Sequence, residues 1–122
     1  MMTYPNRSVT YYPEGSMMNS FTVHSLPWES CSVLVNEVRV AASIARVISH
    51  LDALPDDRDA TARHAIALDK SGKVLGCGRL TEDGLIERIV VMPHDRVQLI
   101  RAAMTEILRD DAARMKQPRK AA

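Results

Sequence analysis

Residues 63–93 read RHAIALDKSGKVLGCGRLTEDGLIERIVVMP, and the fold turns on how this stretch is divided. Lys70-Ser71-Gly72 interrupts one apolar run, and Glu82-Asp83-Gly84 interrupts the next. Asp-Gly between two alternating segments is a strong hairpin signal, because glycine accepts the left-handed backbone of a tight turn. Pro93 then closes the third run. The division predicts strands over 63–69, 74–80 and 85–92, joined as an antiparallel meander. Outward from this core, residues 97–113 place Ile100, Ala103, Met104, Ile107 and Leu108 at helical spacing. In front of it, residues 52–61 (DALPDDRDAT) read as a polar surface loop. Before that loop, a helix from Glu29 to about Leu51 is predicted. Its buried stripe runs through Val33, Val40, Ile44, Val47, Ile48 and Leu51, with Leu34, Val38 and Ala41 alongside. Glu37 breaks that stripe and is expected at its edge or near a helix end. Asn19 to Leu26 sets Phe21 and Val23 against Thr22 and His24, as a half-buried strand does. The fold class is therefore α+β, an antiparallel β-meander covered by two main helices in the order β-α-β-β-β-α, in two or three layers.

The ends differ from this pattern. Residues 1–18 hold three Tyr, two Pro and a Gly without periodicity, and read as a flexible leader, with Met17 or Met18 an alternative start. Residues 114–122 (RMKQPRKAA) read as a solvated basic tail, leaving 19–113 as the domain. A chain of 122 residues suits a single domain, and a net charge of +1 gives no global field toward nucleic acid or an anionic membrane. Phe21 and Trp28 are the only aromatics after residue 20, too few for a base-stacking platform. Cys31 and Cys77 are far apart, with no CxxC and no histidine at ligand spacing, so no metal site is expected and the thiols read as reduced. No apolar run is long enough to span a bilayer, and no signal pattern precedes the domain, which makes the cytoplasm the expected compartment.

Several short motifs, in order, resemble one family. Trp28, Leu34 and Val38-Arg39 look like the W…L…VR start of its first helix. Arg63-His64-Ala65-Ile66-Ala67-Leu68-Asp69 is similar to its second strand. Gly72 to Leu80 resembles its "G-x-x-V-G-x-G-R-L" run, and Asp83 to Arg96 its "D-G-x-I-x-R-x-A-V-x-P-x-x-R" run. Across about 85 residues the chain resembles the front portion of a GNAT-type acyl-CoA-dependent N-acyltransferase, as a truncated member. The resemblance implies acetyl-CoA as co-substrate and a small-molecule amine as acceptor. It implies a bulge in the strand from Leu85 to Met92, with backbone amides there (Val90, Val91) receiving the thioester carbonyl. It also implies a pyrophosphate loop and helix start at Arg96, Val97, Gln98, Leu99 and Arg101. Glu87 stands where some members place a general base.

The sequence departs from the family in two places. The loop positions that are small in the family hold Val97, Leu99 and Arg101, and bulky residues resist both positive φ and close backbone approach. Two readings stay open there: CoA held mainly by the charges of Arg96 and Arg101, or a plain loop and helix start without a ligand. The family's later strand, helix and terminal hairpin have no counterpart, so the 85–92 strand is expected to present an apolar edge able to pair with a second chain. A non-catalytic partner-binding or dimerisation module is thus the alternative function. Period-two alternation puts Glu87 on the same face as Ile89 and Val91, opposite Arg88. Glu87 is either a base near a cleft or an ion-pair partner of a neighbouring arginine. Arg79 and Arg88 either bind an anion or pair with Glu87 or Glu82, and His64 is read as a cap or loop contact rather than a proton-transfer group.

Overall fold

Gly72 and Gly84 both adopt φ of 89°, the left-handed geometry that the two hairpin turns require and that a Cβ disfavours. The turns fix three strands: β3 (Arg63–Asp69), β4 (Val74–Leu80) and β5 (Ile86–Val91). The computed structural model describes residues 6–15 and 17–116. Ahead of these strands come β1 (Arg7–Tyr11), β2 (Phe21–Pro27) and helix α1 (Trp28–Ile44); helix α2 (Val97–Met115) follows them. All five strands form one antiparallel sheet in the order β1-β2-β3-β4-β5. The helices lie on opposite faces, giving a three-layer α+β domain.

The order is β-β-α-β-β-β-α rather than β-α-β-β-β-α, because Arg7–Tyr11 adds a strand inside the stretch expected to be a leader. Two long-range contacts hold it. Tyr11 stacks on Phe21 across the strand pair, ring centroids 5.0 Å apart. Arg7 donates to Asp111 at 2.7 Å and to the Ile107 carbonyl at 3.1 Å on α2. Neither partner is visible from the local pattern of RSVTY, which has only Val9 to mark a strand interior. Of the tail expected over 114–122, residues 117–122 lie outside the described residues, and Arg114 and Met115 form the last turn of α2.

On the α2 face, Ile100, Ala103, Met104, Ile107 and Leu108 are all buried against Phe21, Val23, Ala65, Leu75 and Leu80, as the helical spacing predicts. Ile100, Met104, Ile107 and Leu108 each contribute roughly 1.5–3 kcal/mol by leaving water, and Ala103 less.

The α1 face corrects the expectation. Val33, Val40 and Ile44 are 69%, 52% and 76% exposed, and Val47 and Leu51 are exposed as well. The buried side of α1 is instead Cys31, Val35, Val38, Arg39, Ala42 and Ser43. At 100° per residue, Val35 and Ala42 lie about half a turn from Val33. The period was legible but its phase was not. A stripe drawn through the large aliphatics assigns Arg39 to solvent, whereas its guanidinium is neutralised in the interior. Glu37, exposed among the aliphatics, lies on the outer side.

The helix also stops at Ile44 rather than near Leu51. Arg46 takes φ of 61°. Its N–H bonds the Ser43 carbonyl at 3.0 Å, and the Val47 N–H bonds that of Ala42 at 2.8 Å. This is a Schellman turn with arginine where glycine is the usual residue. No glycine or proline announces it.

Candidate functional site

β5 departs from a regular strand at Arg88. Cys77 is opposite Val90, but Arg79 is opposite Glu87, so Gly78 faces two residues of β5 and the ladder shifts by one. Arg88 has φ of 53°, a left-handed bulge position at which an arginine is strained. Gly78 has no side chain to obstruct this; a Cβ there would come within 2.4 Å of the Ile89 side chain.

The extra residue resets the alternation. Ile89 and Val91 pack on the α2 face, and Val90 on the α1 face. Glu87 bonds Arg79, which belongs to a cluster reaching Arg39 of α1. Glu87 and Ile89 therefore lie on opposite faces, contrary to the period-two expectation, because the bulge inserts a residue between them.

The Glu87 carboxylate is 3.0 Å from Arg79 and 3.6 Å from Arg58, so both ion pairs would have to loosen before it could take a proton from a substrate. Around it runs a network invisible to local reading. Asp59, 1% exposed, accepts both terminal nitrogens of Arg39 at 2.8 and 2.9 Å and one from Arg79 at 2.9 Å. Asp56 accepts Arg79 at 2.6 and 3.0 Å and pairs with Arg88 at 3.2 Å. Arg88 also donates to the Leu54 carbonyl at 2.8 Å. His64 sits beneath, its ring 4.9 Å from Trp28 and its Nε2 2.9 Å from the Asp59 carbonyl, which fits the loop contact expected of it.

Burial alone would raise the Asp59 carboxyl, but hydrogen bonds from Arg39 and Arg79 outweigh it and hold the group well below the usual range. Burial likewise opposes the charge of Arg79, yet bonds to Asp56, Asp59 and Glu87 keep it firmly protonated. His64 is pushed down, chiefly by burial. Arg79 thus pairs with Glu87 as one reading held, and with Asp56 and Asp59 as well. The only local trace of it in the sequence is the four aspartates of one loop, which do not say which arginines they meet.

At the other end of β5, the Met92 N–H bonds the Leu75 carbonyl at 2.9 Å. In an antiparallel ladder successive N–H groups alternate in direction. The Val91 N–H therefore faces the open edge, while that of Val90 faces β4. The chain turns through Pro93 and His94, whose Nδ1 accepts the Arg96 N–H at 3.0 Å, and enters α2.

The N-cap Arg96 supplies no side-chain cap. The first helical bond is Ile100 N–H to the Arg96 carbonyl at 2.9 Å, so the amides of Val97, Gln98 and Leu99 stand outside the ladder. Val97 packs partly against the α2-face core, whereas Gln98, Leu99 and Arg101 are exposed. Arg96 pairs with Glu14, and Arg101 donates to the Ile89 carbonyl at 3.4 Å. Three amides outside the ladder could receive an anion such as a phosphate, joined by Arg96 only once it leaves Glu14.

Cys31 and Cys77 are both buried between α1 and the sheet, and burial pushes the thiols up to about 12 and about 11, respectively. At those values neither is a nucleophile near neutral pH. Among the described residues no group of three or more His, Cys, Asp or Glu could hold a metal ion, and no helix is long and apolar enough to cross a membrane. The chain matches no protein-family model, no curated protein and no solved structure.

Proposed function

We propose that the chain is a GNAT-like domain that binds an acyl-CoA, acetyl-CoA being the expected co-substrate, along the open edge of β5 and the start of α2. The observation that carries this reading is the bulge at Arg88. A strained arginine interrupts the strand that, by resemblance, should be bulged, and the amide of Val91 then faces the open edge. The uncapped amides of α2, with Arg96 and Arg101, would receive the pyrophosphate. The bulky residues at Val97 and Leu99 obstruct binding less than their size suggests, because Val97 is turned toward the core. The engagement of Glu87 by Arg79 and Arg58 argues against it as the base for a small-amine acceptor in this conformation.

Titration calorimetry with acetyl-CoA tests the proposal. Binding is expected within the range of enzyme substrate affinities, about 1 μM to 1 mM. Arg96→Ala should weaken it several-fold. Absence of heat at a few hundred micromolar ligand would refute the binding reading, and an unchanged affinity in Arg96→Ala would remove that residue from it. The alternative, a non-catalytic dimerisation module, is favoured by the aliphatic outer face of α1.

A further inference from the structure

We infer that Glu14 is a built-in competitor of the anion proposed to bind at the start of α2, so that the N-terminal segment tunes how tightly a phosphate group is held. The inference rests on the acyl-CoA reading above and adds a regulatory contact to it.

Glu14 is brought to this position by its own segment. β1 is fastened to the body of the domain at both ends, by Arg7 on Asp111 at 2.7 Å and by the stack of Tyr11 on Phe21. Just beyond β1, Pro13 is buried, and the Gly15 N–H closes the turn on the Tyr12 carbonyl at 2.9 Å. None of these contacts involves Arg96. The Glu14 carboxylate therefore stays beside Arg96 whether or not the two are paired, as an intramolecular group at high effective concentration. Glu14 itself has φ of 57°, a left-handed position that a side chain disfavours, and from it the carboxylate reaches the Arg96 guanidinium.

A carboxylate and a phosphate oxygen use a guanidinium in the same way, by accepting its N–H groups. Arg96 is the residue immediately before α2, next to the amides of Val97, Gln98 and Leu99 that lie outside the helical ladder. A phosphate at those amides gains Arg96 only when Glu14 releases it. The apparent affinity is then reduced by the fraction of molecules in which the pair is open. Both side chains reach water, and pairs of that kind are weak. Glu14 thus lowers the affinity modestly and does not close the site.

Calorimetric titration of the full chain with inorganic pyrophosphate, and separately with acetyl-CoA, tests this. Glu14→Gln keeps the shape of an exposed side chain and removes its charge. It should tighten both ligands about two- to five-fold, the gain expected from releasing one exposed ion pair. In an Arg96→Ala background the same substitution should change nothing, because the group competed for is gone. An affinity in Glu14→Gln equal to or weaker than that of the unaltered chain overturns the inference and leaves acyl-CoA binding standing. A gain that persists in Arg96→Ala also overturns it, since the effect would then be general repulsion by a nearby negative charge. Absence of binding in both the unaltered chain and Glu14→Gln refutes the inference and the acyl-CoA reading together.

Discussion

Beneath α2 the sheet meets its helix through Ile100, Met104, Ile107 and Leu108, whereas beneath α1 it meets Val35, Val38 and two thiols rimmed by Arg39, Asp59 and Arg79. The first contact is non-directional, so any close-packing aliphatic set serves. The second couples apolar burial to a charge balance in which each member depends on the others. A buried carboxylate and two guanidiniums gain little as a set over a hydrophobic equivalent, but removing one member strands the rest.

That difference orders the expected responses to substitution. Asp59→Ala leaves Arg39 and Arg79, 1% and 2% exposed, without their shared buried counter-charge. The expected loss is about 3–5 kcal/mol, read as a large drop in the denaturant midpoint; a loss below about 1 kcal/mol would mean that Asp56 and Glu87 suffice and that the faces do not differ as argued. Leu108→Ala on the α2 face removes a fully buried side chain and should cost about 3 kcal/mol, mostly as a cavity.

Smallest is the response to acid. The folded state holds His64 below its ordinary value of 6.5, so the unfolded chain binds that proton more readily. The stability tied to the neutral ring is present above that value and is lost as pH falls below it toward the lowered folded value. His64→Gln should flatten the fall in melting temperature between about pH 7 and 5. An identical slope in the variant would show that the ring does not report on the α1 face.

The same contrast explains what could be read in advance. The strands and turns from Arg63 to Val91, and the face of α2 from Ile100 to Leu108, follow from alternation, glycine and spacing, which are local signals. The inward side of α1 was not legible, because the residue that decides it, Arg39, finds its partner only twenty positions later at Asp59. Arg7–Tyr11 was missed for a similar reason, since its anchor is Asp111 at the far end of α2. At the candidate site the end of β5 before Pro93 and the start of α2 at Val97 were legible. The side on which Glu87 falls was not, because the resemblance implies a bulge in this strand but not its position at Arg88.

The tie between Glu14 and Arg96 joins the turn Pro13–Gly15 to the residue just before α2, with side chains 68% and 35% exposed. A pair so open to water responds to ionic strength, since the screening distance shrinks from about 10 Å in 0.1 M salt to about 3 Å in 1 M. Arg39 and Asp59, sealed from solvent, feel little of this change. Added electrolyte should therefore slacken the front strap over α2 and leave the interior clamp intact, exposing a guanidinium that a phosphate would otherwise have to win from a carboxylate.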